Sequence, residues 1–326
     1  MKAIKFFAIS AMAAAMITSC SSEDELSQSN YPSDNIVRVT AGVNNAKTRA
    51  EGAGTEMKND FSLTIVNKNA PKYTYTDKVF SKTSGDWACS ETLLWQKSDA
   101  LVDIVAFAPA QTGKFNGVYA NGSIQPIAYS VAKDQTTADD KNDLLYYYAK
   151  DFNPGESLDK GKLKIQFNHA FCMIDIVVTL GTEFNKPEVL KESPIVKVTL
   201  GGTKIAANVD VTKAASVVTV SETDAATDIT TTKGSFDKAA NAEANAISRF
   251  SCIAIPQTVA GKTFKVSLMT AGKRYEWTSD KEITLQSGYR YTLKLSMGND
   301  VVLLKGGSIS ATPWTEITSD KPLETD

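Results

Sequence analysis

Apolar and polar residues alternate along this chain in short stretches, with a period of two. Val37, Val39, Ala41 and Val43 share one face, and Ile36, Arg38 and Thr40 the other, which predicts a strand over Ile36–Val43. The same alternation marks Phe61–Val66, Lys72–Thr76 and Leu163–Asn168, where Leu163, Ile165 and Phe167 oppose Lys164, Gln166 and Asn168. It is clearest in Tyr289–Met297, with Tyr289, Tyr291, Leu293, Leu295 and Met297 on one side. Leu101–Ala108 is apolar on both faces except at Asp103, and Phe171–Leu180 is a long apolar run containing Asp175. Both fit central strands, and Pro109 ends the first. Further strands are predicted at Leu144–Tyr148, Ile195–Leu200, Lys204–Val209, Ser216–Val220, Phe250–Ile255, Thr263–Met269, Arg274–Trp277 and Val301–Leu304, with Ser308–Ser310 before Pro313-Trp314. Helical periodicity is nearly absent. Lys238–Ala246 is read as one helix in an Ala-, Thr- and Asp-rich region. Short strands separated by polar turns predict an all-β protein built from sandwiches.

The N-terminus follows different rules. Lys2 and Lys5 precede an apolar run from Phe6 to Ile17, which stops at Ile17-Thr18-Ser19-Cys20. A basic end, a short apolar middle and a small-residue stop make a secretory signal. About a dozen apolar residues are too few to cross a hydrocarbon core as a helix. Ile-Thr-Ser-Cys resembles a lipobox, so residues 1–19 are expected to be a lipoprotein signal peptide, with Cys20 the lipidated residue. Ser22-Glu23-Asp24-Glu25 resembles the surface-export signal of Bacteroidetes lipoproteins, and residues 21–35 read as a polar tether. Within the break after the first strand lies Lys47-Thr48-Arg49-Ala50, a basic site of the kind trypsin-like proteases cut.

Composition narrows the chemistry. Cleavage before Cys20 leaves roughly 300 residues of the 326, enough for two domains. The boundary is placed in the polar, Pro-containing stretch from Gly181 to Ser193. Residues 20–49 are then tether and first strand, 50–183 an N-terminal sandwich, and 184–326 a C-terminal one. The net charge is −2 and no strongly basic stretch occurs, so no nucleic-acid partner is expected. Cys89, Cys172 and Cys252 remain after lipidation and show no CxxC spacing. Buried free thiols are the expectation, and a single disulfide among the three would leave the pair unspecified. His169 is the one histidine, which excludes any site with two His ligands. It reads as a structural imidazole at the start of an apolar strand. Asp139, Asp140 and Asp143 lie in one loop, but their spacing matches no calcium loop. No glycine-rich phosphate loop or GxSxG is present. No metal, cofactor or catalytic group is expected, although the aromatic residues leave room for a sugar-stacking patch.

Several of these pieces together resemble the fimbrillin family of Bacteroidales, the Mfa-like and FimA-like pilus subunits. They are the lipobox with its acidic follow-up, Thr48-Arg49-Ala50 after the first strand, Ala106-Phe107-Ala108-Pro109, Asp143-Leu144-Leu145-Tyr146, Phe167-Asn168-His169-Ala170 running into Ile174-Asp175-Ile176, Gly288-Tyr289-Arg290-Tyr291 and Pro313-Trp314. The resemblance implies two tandem Greek-key, transthyretin-like β-sandwiches. It also implies export as an outer-membrane lipoprotein, cleavage by an arginine-specific protease and head-to-tail assembly with other fimbrial subunits at the cell surface. Carried onto this chain, the cut falls between Arg49 and Ala50. The strand removed carries Val37, Val39, Ala41 and Val43, and the strand donated lies within Val301–Trp314. Shaft, anchor and tip roles all remain open. The alternative is a non-polymerising surface lipoprotein that binds glycan or host protein through the same sandwiches. A hydrolase using paired carboxylates has no feature in its favour.

Overall fold

The structure, a computed structural model, describes residues 30–44, 57, 59–110, 118–137, 142–186, 188–214, 216–299, 301–304 and 309–314. In chain order its strands are β1 (Arg38–Val43), β2 (Phe61–Val66), β3 (Tyr75–Thr83), β4 (Asp86–Cys89), β5 (Val102–Ala108), β6 (Tyr119–Ala120), β7 (Ser123–Ile124), β8 (Ile127–Ser130), β9 (Leu145–Phe152) and β10 (Lys162–His169). There follow β11 (Cys172–Leu180), β12 (Ile195–Gly201), β13 (Ala206–Val209), β14 (Val218–Val220), β15 (Ile229–Thr230), β16 (Thr232–Asp237), β17 (Ala246–Ala254), β18 (Thr258–Val259), β19 (Lys265–Thr270), β20 (Arg274–Thr278), β21 (Ile283–Thr284), β22 (Tyr289–Met297), β23 (Val302–Leu304) and β24 (Ser310–Pro313). The chain is all-β, as the alternation predicts.

The N-terminal sheet has the order β1-β10-β9-β5-β2-β3-β4. Its β1–β10 pair is parallel and its other pairs antiparallel. The sheet curls until its two ends approach. Ile36, just before β1, bridges Leu94, and the Val37 N–H donates to the Leu93 carbonyl at 2.9 Å. Inside the curl, Phe61, Leu63 and Ile65 of β2 pack with Ile104 and Ala106 of β5 and with Leu163, Ile165 and Phe167 of β10.

β5 is buried along its whole length because it faces two cores. Ile104, Ala106 and Ala108 belong to the N-terminal core, whereas Val105 and Phe107 belong to a second core shared with the C-terminal sheets. Asp103 interrupts this apolar run. It is 6% exposed, and the Lys68 ammonium at 2.7 Å and the Asp151 N–H at 2.9 Å satisfy it, as a buried carboxylate requires.

The C-terminal part combines a sheet of order β16-β17-β11-β22-β23 with a second of order β15-β12-β19-β20 and a third of order β14-β13-β8. β23 and β24 share the outer edge of β22. Cys172–Leu180, assigned by sequence to an N-terminal sandwich ending at 183, is instead bonded into this C-terminal sheet, antiparallel to β17 and parallel to β22. β8 likewise crosses over to pair with β13. The sheets therefore part at Ala170-Phe171, where backbone pairing passes from one set to the other, while Gly181–Ser193 is only a connection between two C-terminal strands.

Two local expectations fail for local reasons. Lys238–Ala246 forms no helix, because Asn241 accepts the Glu243 N–H at 2.9 Å in a side-chain turn that competes with helical bonding. The stretch Lys72–Thr76 begins with a short 3₁₀ turn over Pro71–Tyr73, and the strand starts only at Tyr75.

Candidate functional site

The feature with the most consequence for function is the seat of β1. The strand is six residues long, and its register on β10 runs from Arg38 opposite Lys162 to Val43 opposite Phe167. Val37, Val39 and Val43 are buried, Ala41 is partly buried, and Arg38 and Thr40 point to solvent. The four residues assigned by sequence to the inner face thus line one strip of the N-terminal core. Beneath them, Phe61 meets Phe80 at 5.3 Å, Trp87 at 5.0 Å and Phe167 at 5.6 Å between ring centroids.

Both ends of β1 are tied down. At its start, Arg38 donates to both oxygens of Asp34, at 2.9 and 2.6 Å. This guanidinium, helped by the Ile36 N–H, holds the Asp34 carboxyl well below the usual carboxylate range. The pair is exposed, so it orients the strand more than it stabilises the fold. At the other end, the Asn44 N–H donates to the Phe167 carbonyl at 2.7 Å, and the Asn44 side-chain amide donates to Asn168 Oδ1 at 3.0 Å. Cys20, Arg49 and Ala50 lie outside the described residues.

The C-terminal segment folds back on its own chain. β24 pairs antiparallel with Tyr289–Thr292, yet Ser310, Ala311 and Pro313 are exposed. Trp314 is the exception. It is 4% exposed, and its ring lies 3.8 Å from that of His169 at 12° to coplanar. His169 Nδ1 sits 2.8 Å from Asp143 Oδ2, whereas His169 Nε2 and Trp314 Nε1 are buried without a partner among the described residues. The imidazole thus touches a carboxylate and an indole. Trp314 as its stacking partner was missed. The only sequence signal was the presence of both residues among the family-like motifs.

The remaining candidates resolve simply. Cys89, Cys172 and Cys252 form no disulfide among the described residues, and the last two are buried on the adjacent strands β11 and β17. Burial, and then the neighbouring Cys252, push the Cys172 thiol up, away from the thiolate form that reacts. Asp175 pairs with Arg290 on the outer face of the C-terminal sheet. No group of three or more His, Cys, Asp or Glu residues able to hold a metal exists among the described residues, and none of their helices is long and apolar enough to cross a membrane. Trp277, with Asp280, Glu282, Thr284, Tyr291 and Ile309, lines an open cleft of about 450 Å³.

Solved structures share this fold. A candidate cell adhesion protein of Bacteroides uniformis matches with a TM-score of 0.57 at 15% identity, over 87% of this chain and 100% of that one. A second candidate cell adhesion protein, of Bacteroides ovatus, also matches with a TM-score of 0.57, at 16% identity over 84% of this chain and 96% of that one. A fimbrial protein of Bacteroides vulgatus matches with a TM-score of 0.54 at 15% identity, over 86% and 99% of the two chains. No curated protein matches in sequence. The family model for fimbrillin-like proteins matches residues 48–314, most of the length. On that match the chain belongs to the fimbrillin-like family.

Proposed function

We propose that this protein is a structural or adhesive fimbrial subunit. It is exported as a lipoprotein through Cys20, trimmed between Arg49 and Ala50, and assembled head to tail by strand exchange at the cell surface. The observation that carries this reading is the seat of β1. An edge strand fills an apolar strip and a backbone ladder, and its last paired residue, Val43, stands shortly before Arg49. Loss of the strand would leave the β10 backbone from Lys162 to Phe167 without its β1 partners and Leu163, Ile165 and Phe167 uncovered, a surface that a strand from a neighbour can satisfy.

The C-terminal segment has the right pattern to supply that strand. Ile309, Ala311 and Pro313 alternate with Ser310 and Thr312 as Val39, Ala41 and Val43 alternate with Thr40 and Gly42. Because the Asn44 N–H bonds to β10 in this parallel ladder, the Val43 N–H points away from it. A proline at that place in the same orientation costs no bond to β10. A head-to-tail contact of this kind does not close on itself, so it builds a filament.

The test is limited digestion, by an arginine-specific protease, of the chain lacking residues 1–20. We expect a new N-terminus at Ala50, followed by a ladder of oligomers on an unboiled denaturing gel. A clean cut that yields only monomer would sink strand exchange in this subunit. The Trp277 cleft favours a second reading, glycan binding by a non-polymerising lipoprotein, and retention of sugars on a glycan array by the uncut monomer would support it.

A further inference from the structure

We propose that Trp314 on His169 is a latch that keeps the C-terminal strand β24 in its own sheet, and that the end of β10 couples this latch to the seat of β1. The inference rests on the reading that β1 leaves the subunit. It adds that emptying the seat loosens the segment to be donated.

Three observations meet at one place. First, apart from Trp314 after it and the half-buried Ile309 ahead of it, β24 has little to hold it. It makes four ladder positions with β22, and its side chains from Ser310 to Pro313 bury little. A buried indole contributes far more apolar contact than those side chains do. Second, the surface that receives the indole is fixed by β10. His169 is the last residue of that strand, its ring is held by Asp143, and the next residue, Ala170, donates its N–H to Leu144 at 2.8 Å. Third, β1 braces β10 up to the residue before His169. Val43 pairs with Phe167, and Asn44 bonds to the Phe167 carbonyl and the Asn168 side chain. Without β1, the strand pairing that this end of β10 keeps among the described residues is to Tyr146 and Leu145 of β9.

The end of β10 is therefore the physical element that both sites bias, and coupling through it is reciprocal. With β1 in place, His169 is held against Trp314 and β24 stays home. With β1 gone, the imidazole gains freedom, the stack weakens and β24 opens more often. A subunit built this way keeps its C-terminal strand unavailable until its own seat has been emptied.

Amide hydrogen exchange on dilute monomer tests this, because it reads local opening directly. Four chains are compared, lacking either residues 1–20 or residues 1–49, each with Trp314 or with Trp314→Leu. Trp314→Leu should speed exchange in β24 by about tenfold while β11 and β17 keep their rates. Loss of residues 21–49 should speed β24 several-fold when Trp314 is present and add nothing in Trp314→Leu. If Trp314→Leu leaves β24 unchanged, there is no latch. If loss of β1 leaves β24 unchanged, or if the two effects multiply, there is no coupling through the stack. Should the chain beginning at Ala50 not fold, Asn44→Ala in the longer chain replaces it. It should speed β24 less, with the same dependence on Trp314, and no such dependence overturns the coupling. Every reading is on monomer, so absence of a polymer ladder would count against strand exchange and leave this result standing.

Discussion

Phe61 is the residue on which the N-terminal core turns. It is fully buried and touches aromatic rings from β3, β4 and β10 at once. Truncation leaves a hole that three different strands would have to close. Phe61→Ala is expected to lower unfolding stability by about 3–5 kcal/mol, read as a shift of the urea midpoint with an unchanged slope. A loss under about 1 kcal/mol would mean that the ring cluster is not a core element. Single residues were legible where one-dimensional pattern decides their fate. The inner face of β1 could be read because alternation alone sorts Val39 from Thr40. Asp103 was visible as a charge in an apolar strand, but its partner Lys68 was not. The contact of His169 with Trp314 was invisible as well, since it joins residues far apart in the sequence and leaves no local periodicity.

At the level of elements, the parallel pair β1–β10 permits a direct test of strand departure. Thr40 and Lys164 face each other in register, and both are exposed. Paired Cα atoms in neighbouring strands lie about 5 Å apart, within the span of a disulfide. With Thr40→Cys and Lys164→Cys joined, cutting after Arg49 should give no oligomer ladder, and adding reductant should restore it. A ladder that forms regardless of the cross-link would show that β1 need not leave. β22 was read to the residue because both of its faces are cleanly sorted. β11 was found as a strand but placed in the wrong sheet. Apolar content reports that a strand is central and says nothing of which neighbours flank it, and only the pairing with β17 and β22 settles that. The supposed helix at Lys238–Ala246 was a composition signal that Asn241 overrides through one side-chain bond.

Across the whole molecule, β5 belongs to two cores, so the sheets are not independent bodies. Val105, Phe107, Ile127, Tyr129 and Leu144 all contribute to the core that the C-terminal strands complete. Residues 30–170 produced alone should therefore expose a large apolar surface. They are expected to bind a hydrophobic dye and self-associate, and a soluble, dye-silent monomer would show that the N-terminal sheet is self-sufficient. The all-β class and the family-like motifs were legible at this scale. The crossing of β8 and β11 into the C-terminal sheets was not, because it depends on contacts between distant segments. The direction of β1 also bears on mechanics. A pull directed along the axis of β1 runs across bonds to β10 that lie side by side. Such a load shears the whole ladder at once instead of peeling it bond by bond, so β1 resists tension applied in that direction. On the proposed reading, a cut after Arg49 would free one end of β1 while leaving this ladder to hold the strand until a competing strand displaces it.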